Sequence, residues 1–135
     1  KATRRTIGTT KTTTAAADPA PGFAKNPAYK ITLERPTREY VATLQGEEIA
    51  RSRNVILLKE NDYPPIVYFP PKDVRRDQAT MTEKDTYCPY KGIASYWSFG
   101  REKNIAWSYE EPFREMLDIK GYVAFYTDRL DDPLS

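Results

Sequence analysis

The chain has 135 residues, a net charge of +2, no histidine and a single cysteine, Cys88. Without histidine, Ser–His and Cys–His catalysis are excluded, and so is a structural zinc site built from cysteine and histidine. One thiol cannot form an internal disulfide, so a reducing, cytoplasmic setting is the expectation, and any general base must be a carboxylate, a lysine, a tyrosine or the thiol itself.

The length suits one domain with one core. No apolar run approaches the roughly 20 residues of a membrane helix. Residues 1–28 lack the apolar stretch of a signal peptide, so neither a membrane span nor a leader is expected. The charge is unevenly divided. Residues 1–30 hold six basic residues and one acid, giving +5, and residues 31–135 hold fifteen and eighteen, giving −3. The folded part therefore lacks the basic stripe that tracks a phosphate backbone, and nucleic-acid contact is limited to weak contacts by the tail.

Residues 1–27 read as a flexible, basic, Thr/Ala-rich tail, too poor in large apolar side chains to offset the entropy of ordering. A single compact β domain is expected over residues 28–135. Strands are predicted at residues 29–33, then at 40–44 and 48–52 as a hairpin around Gly46. Residues 54–58 form a continuous apolar run, expected to be buried on both faces. Residues 66–69 lie between Pro64-Pro65 and Pro70-Pro71, which set the strand's length. Residues 71–74 suit one helical turn. Residues 86–90 are extended, because Pro89 biases Cys88 away from helix. Strands at 93–99 and 105–109 flank a hairpin loop at 100–104. Pro112 and the acids before it start one short helix near residues 112–118. A last strand covers residues 121–126. Short strands, little helix and no β-α alternation predict an all-β, mainly antiparallel fold, a sandwich or a partly open barrel.

The least generic segment is Thr86-Tyr87-Cys88-Pro89-Tyr90-Lys91-Gly92. On an extended chain Thr86, Cys88 and Tyr90 share one face. Lys91 can turn beside the sulfur, where an ammonium favours the reactive thiolate. The other reading of Cys88 is a small buried core thiol. Lys91 can anchor a phosphate or carboxylate, or it can pair with Glu60 or Asp73. Glu60 ends an apolar strand and Asp73 follows Tyr68-Phe69, so desolvation can make either an acid or base. Cys88, Lys91, Glu60 and Asp73 are thus the candidate catalytic residues.

Aromatic residues surround these groups in sequence: Tyr63, Tyr68, Tyr87, Tyr90, Tyr96, Trp97, Trp107 and Tyr109. Tyr96 and Trp97 must point to opposite faces of their strand, whereas Trp107 and Tyr109 share one. Tyr68, Tyr90, Lys91, Tyr96, Trp107 and Tyr109 make up the expected ligand-binding set, an aromatic wall with a few polar groups. The same aromatics also suit an ordinary β core.

Five blocks in order give the chain a specific resemblance. They are Gly46-Glu47-Glu48-Ile49-Ala50, Tyr68-Phe69-Pro70-Pro71-Lys72-Asp73-Val74, Cys88-Pro89-Tyr90-Lys91-Gly92-Ile93-Ala94-Ser95-Tyr96, Asn104-Ile105-Ala106-Trp107-Ser108-Tyr109 and Ile119-Lys120-Gly121-Tyr122-Val123-Ala124-Phe125. Over residues 46–129 the sequence resembles the family catalogued as domain of unknown function 427. The resemblance implies a compact, tent-like β fold with a pocket near the Cys-Pro-Tyr-Lys-Gly segment, and no assigned activity. The family also carries a nucleotidyltransferase-like label. That chemistry uses two or three carboxylates on magnesium, and the sequence has no Asp-x-Asp pair beside a Gly-Ser turn. Asp131-Asp132 falls in the apparent C-terminal tail, where it reads as solvated.

Two functions fit these observations. One is binding of, and action on, a small polar or anionic molecule in a pocket around Cys88 and Lys91. The alternative is a non-enzymatic interaction module, for a homodimer or another protein, using an edge strand and the N-terminal arm. No cofactor and no metal are expected. Whether the protein is an enzyme is left open by the residues. Gly92 is expected to need a positive φ or a close backbone approach.

Overall fold

The computed structural model describes residues 17–134. Most of the expected tail, residues 1–16, lies outside the described residues. Residues 17–30 do not trail away from the domain. They contain a short helix, α1 (Pro21–Lys25), begun by a proline whose missing N–H costs nothing at a first helical turn. The Gly22 N–H donates to the Pro89 carbonyl (2.9 Å), and the Arg114 N–H donates to the Asp18 carbonyl (2.8 Å). The Ala20 N–H donates to Glu115 Oε1 (2.9 Å).

Among the described residues nine strands form three antiparallel sheets, none of which closes into a barrel. The first holds β1 (Ile31–Glu34), β4 (Ile56–Glu60) and β5 (Ile66–Tyr68), with β4 in the centre. Its apolar run is buried as expected at Val55, Ile56 and Leu58, and Leu57 is half-buried. The second is a hairpin of β2 (Tyr40–Leu44) and β3 (Glu47–Ser52). Its two-residue turn, Gln45-Gly46, has φ of +53° and +83°, the type I′ geometry that matches strand twist. A register shift lets consecutive Ile49 and Ala50 both face inward, which a bulge permits and strict alternation forbids.

The third sheet runs β6 (Ala79–Cys88), β7 (Gly92–Phe99), β8 (Glu102–Tyr109) and β9 (Val123–Phe125). The strands at 93–99, 105–109 and 121–126 were expected, but of β6 only the end, from residue 86, was legible as extended chain. Residues 79–85 have no apolar alternation, and β6 is instead held by its ladder to β7. The predicted five-residue loop at 100–104 shrinks to a turn at Gly100-Arg101, with Phe99 opposite Glu102. Asn104 takes the left-handed conformation, φ +54°, within a register shift, and its N–H donates to Ser98 Oγ at 3.0 Å. Asparagine tolerates this region better than most residues. The helix expected near residues 112–118 is a kinked 3-10 helix, Arg114–Ile119, and Pro71–Asp73 is a single 3-10 turn.

Strands β7 to β9 are covered on both faces, and alternation divides their side chains between two cores. Trp97, Phe99, Ile105, Ala106, Val123 and Phe125 pack with the β2–β3 hairpin and Phe69. Ala94, Tyr96, Trp107, Tyr109 and Ala124 pack with Ile56, Leu58 and Tyr68 of the first sheet. Tyr96 and Trp97 thus point to opposite faces, and Trp107 and Tyr109 share one. Both faces are interior, which the single expected core did not provide for.

Candidate functional site

Three of the four candidate catalytic residues meet in space. Glu60 ends β4 beside the turn that joins β6 to β7, and Lys91 lies in that turn. Lys91 Nζ stands 2.7 Å from Glu60 Oε1 and donates toward Cys88 Sγ at 3.8 Å. Lys91 is only 8% exposed. The other Glu60 oxygen accepts a hydrogen bond from the Tyr29 hydroxyl. Desolvation, and then this carboxylate, raise the Tyr29 pKa. Lys91 therefore makes the Glu60 ion pair, one of the two pairings legible in the sequence. Asp73 lies elsewhere, on the Pro71–Asp73 turn, with Lys72 Nζ 3.9 Å away.

The expected aromatic set is partly assembled here. Tyr68, Tyr96, Trp107 and Tyr109 belong to the core that Cys88 packs against. Trp107 Nε1 donates to the Tyr68 hydroxyl at 3.2 Å. The Tyr96 hydroxyl lies 3.0 Å from Thr86 Oγ1. Burial pushes the pKa values of Tyr68 and Tyr109 up, and the nearby Glu60 carboxylate adds to both. Tyr90 turns outward and does not join this group. It stacks on Tyr29 with centroids 3.9 Å apart, and Phe23 packs edge-on at 4.9 Å. Gly22 lies against the same ring, where a Cβ would come within 2.6 Å. Residues 17–30 thus form a strap across the Cys88–Gly92 turn. Tyr63 and Tyr87 are exposed.

On the other face of the same sheet there is open space. A cavity of about 340 Å3 is bounded by Trp97, Phe99, Val74 and Val123, with Arg76, Glu110 and Lys120 at its border. Trp97 Nε1 donates to Ser108 Oγ at 2.9 Å, and the Ser108 hydroxyl donates to Glu110 Oε2. Ser108 is fully buried, so this relay fixes both the indole and the carboxylate. Arg76 stands over the Trp97 ring, 6.0 Å from its centroid. Neither Arg76 nor Lys120 has an ion-pair partner among the described residues. The sequence reading missed this place. Its signal was the Tyr96–Trp97 alternation, which sends the tryptophan away from the expected pocket.

Asp131 is exposed, as expected, but it is also engaged. Its two oxygens accept the N–H groups of Gln45 and Gly46, each at 2.8 Å, and so cap the β2–β3 turn. Among the described residues no three His, Cys, Asp or Glu side chains are grouped to hold a metal ion. None of the helices there is long and apolar enough to cross a membrane.

The architecture is that of a small all-β domain whose main sheet is covered on both faces. Residues 32–134 match the family described as Domain of unknown function (DUF427), and the chain belongs to that family. No curated protein matches the chain significantly. The match begins inside β1, so α1 and the whole strap precede the matched region.

Proposed function

We propose that the domain binds a small polar or anionic molecule in the cavity beside Trp97. The cavity itself carries this reading. Its volume of about 340 Å3 falls within the range of small-molecule sites, roughly 300–1,000 Å3, and it combines apolar walls with a few charged groups. The Cys88–Lys91 turn supports the same function less well. There the ammonium is already neutralised by Glu60, and the strap lies over the turn.

A thermal-shift screen of metabolites and anions tests the reading on wild type, Ala79→Phe and Lys91→Met. Ala79 borders the cavity, so a phenyl ring there fills it. A ligand at a hundredfold its dissociation constant adds about 2.7 kcal/mol. The expected result is stabilisation of wild type and Lys91→Met and none of Ala79→Phe. Stabilisation lost only in Lys91→Met would move the site to the strand turn, and no shift by any compound would remove the reading.

A second reading, a homodimer, draws on β6. This ten-residue strand is the edge of its sheet and exposes Met81 and Tyr87. Such edges are templates for pairing with another chain. Light scattering that gives a dimer for wild type and a monomer for Tyr87→Lys would support it, and a monomeric wild type would end it.

A further inference from the structure

We infer that the ligand of this cavity is a flat aromatic monoanion, a carboxylate that also carries an O–H or N–H donor. The inference rests on the cavity being the binding site. Its border carries two cations, Arg76 and Lys120, and one acid, Glu110, a formal charge of +1 that a single negative charge neutralises. A planar guanidinium matches the fork of a carboxylate. A carboxylate entering a half-apolar space also needs such a partner to offset its lost hydration. Trp97 and Phe99 supply aromatic wall, which suits a ring rather than a flexible polyol. Glu110 completes the chemistry. One of its oxygens accepts the Ser108 hydroxyl, and the other has no hydrogen-bond partner among the described residues. That oxygen is free to accept a donor from the ligand, and its charge repels a second anionic group. A phosphate dianion is therefore the poorer match.

The experiment uses three probes on the full chain: 6-hydroxy-2-naphthoate, 6-hydroxy-2-naphthamide and 2-naphthoate. Dissociation constants are measured by calorimetry for wild type, the double variant Arg76→Gln/Lys120→Gln, and Glu110→Gln. Arg76 and Lys120 are exposed, so the double variant should keep its fold, which its melting temperature checks. The hydroxynaphthoate should bind wild type at least tenfold more tightly than the amide. That advantage should vanish in the double variant while amide binding stays as it was. Glu110→Gln should reduce the preference for the hydroxylated acid over 2-naphthoate, because a neutral amide oxygen is a weaker acceptor than a carboxylate. Equal binding of acid and amide to wild type would overturn the inference, as would an advantage that survives in the double variant. If the amide still binds and Ala79→Phe abolishes it, the cavity reading stands and only the ligand class falls. If none of the three probes binds wild type, the ligand class falls, and the cavity reading is decided separately by the thermal-shift screen on wild type and Ala79→Phe.

Discussion

Lys91 and Gly92 show how two adjacent residues hold different parts of the same turn. Lys91 pairs with Glu60 where their side chains are 10% and 18% exposed. Replacing Lys91 with Met leaves a half-buried carboxylate without its cation, and the expected loss in denaturant unfolding is roughly 3 kcal/mol. Replacing both residues, as Lys91→Met with Glu60→Leu, should recover much of that loss. A double variant as unstable as the single one would show that the pair is not the source. Gly92 has φ +120°, and a Cβ there would lie 3.4 Å from the Pro112 Cα. A β-branched residue resists that conformation, so Gly92→Val should cost roughly 3 kcal/mol. An unchanged unfolding midpoint would contradict this. The unusual residue types around this turn made it legible in the sequence. Asp73 shared the same apolar context but not the same place, because a 3-10 turn carries it away.

Among the elements, those with an apolar period were legible and those without were not. β4 and β5 announced themselves through β-branched runs and bracketing prolines. β6 did not, because residues 80–86 (Thr-Met-Thr-Glu-Lys-Asp-Thr) are mostly exposed and paired along one side only. Residues 17–27 of the strap were read as tail because they are poor in large apolar side chains and rich in proline. The strap is held by a few specific contacts at Gly22, Phe23 and Tyr29, which composition does not reveal. The Tyr29 hydroxyl bond to Glu60 is worth about 1 kcal/mol, and Tyr29→Phe should lose that much in a denaturant melt. Deleting residues 1–28 should also speed the reaction of Cys88 with a disulfide reagent several-fold. Because Cys88 is the only thiol, the assay reports on this turn alone. An unchanged rate would mean that the strap does not shield it.

At the scale of the whole molecule, buried hydroxyls couple stability to alkaline pH. Burial raises Tyr68 and Tyr109 well above their ordinary value of 10.0. Above about pH 10 the unfolded chain loses these protons while the folded chain keeps them, so stability is full below that pH and declines as pH rises beyond it. Urea melts between about pH 9 and pH 12 should show the decline, and Tyr109→Phe should flatten it. A flat wild-type profile would contradict the burial of these phenols. The same arrangement explains why half of the site was hidden. A strand alternation read against one core offers one inward face, whereas β7 to β9 have two, and the cavity lies on the face that the Tyr96 side does not see. The central claim is that this cavity binds the ligand. Its most direct test is a backbone and indole N–H resonance map of the labelled chain during titration with hits from the thermal screen. The account predicts shifts at the Trp97 indole N–H and at residues 74–79 and 120–123. Shifts confined to residues 88–92, Tyr96 and the Trp107 indole would place binding at the Cys88–Lys91 turn and contradict it.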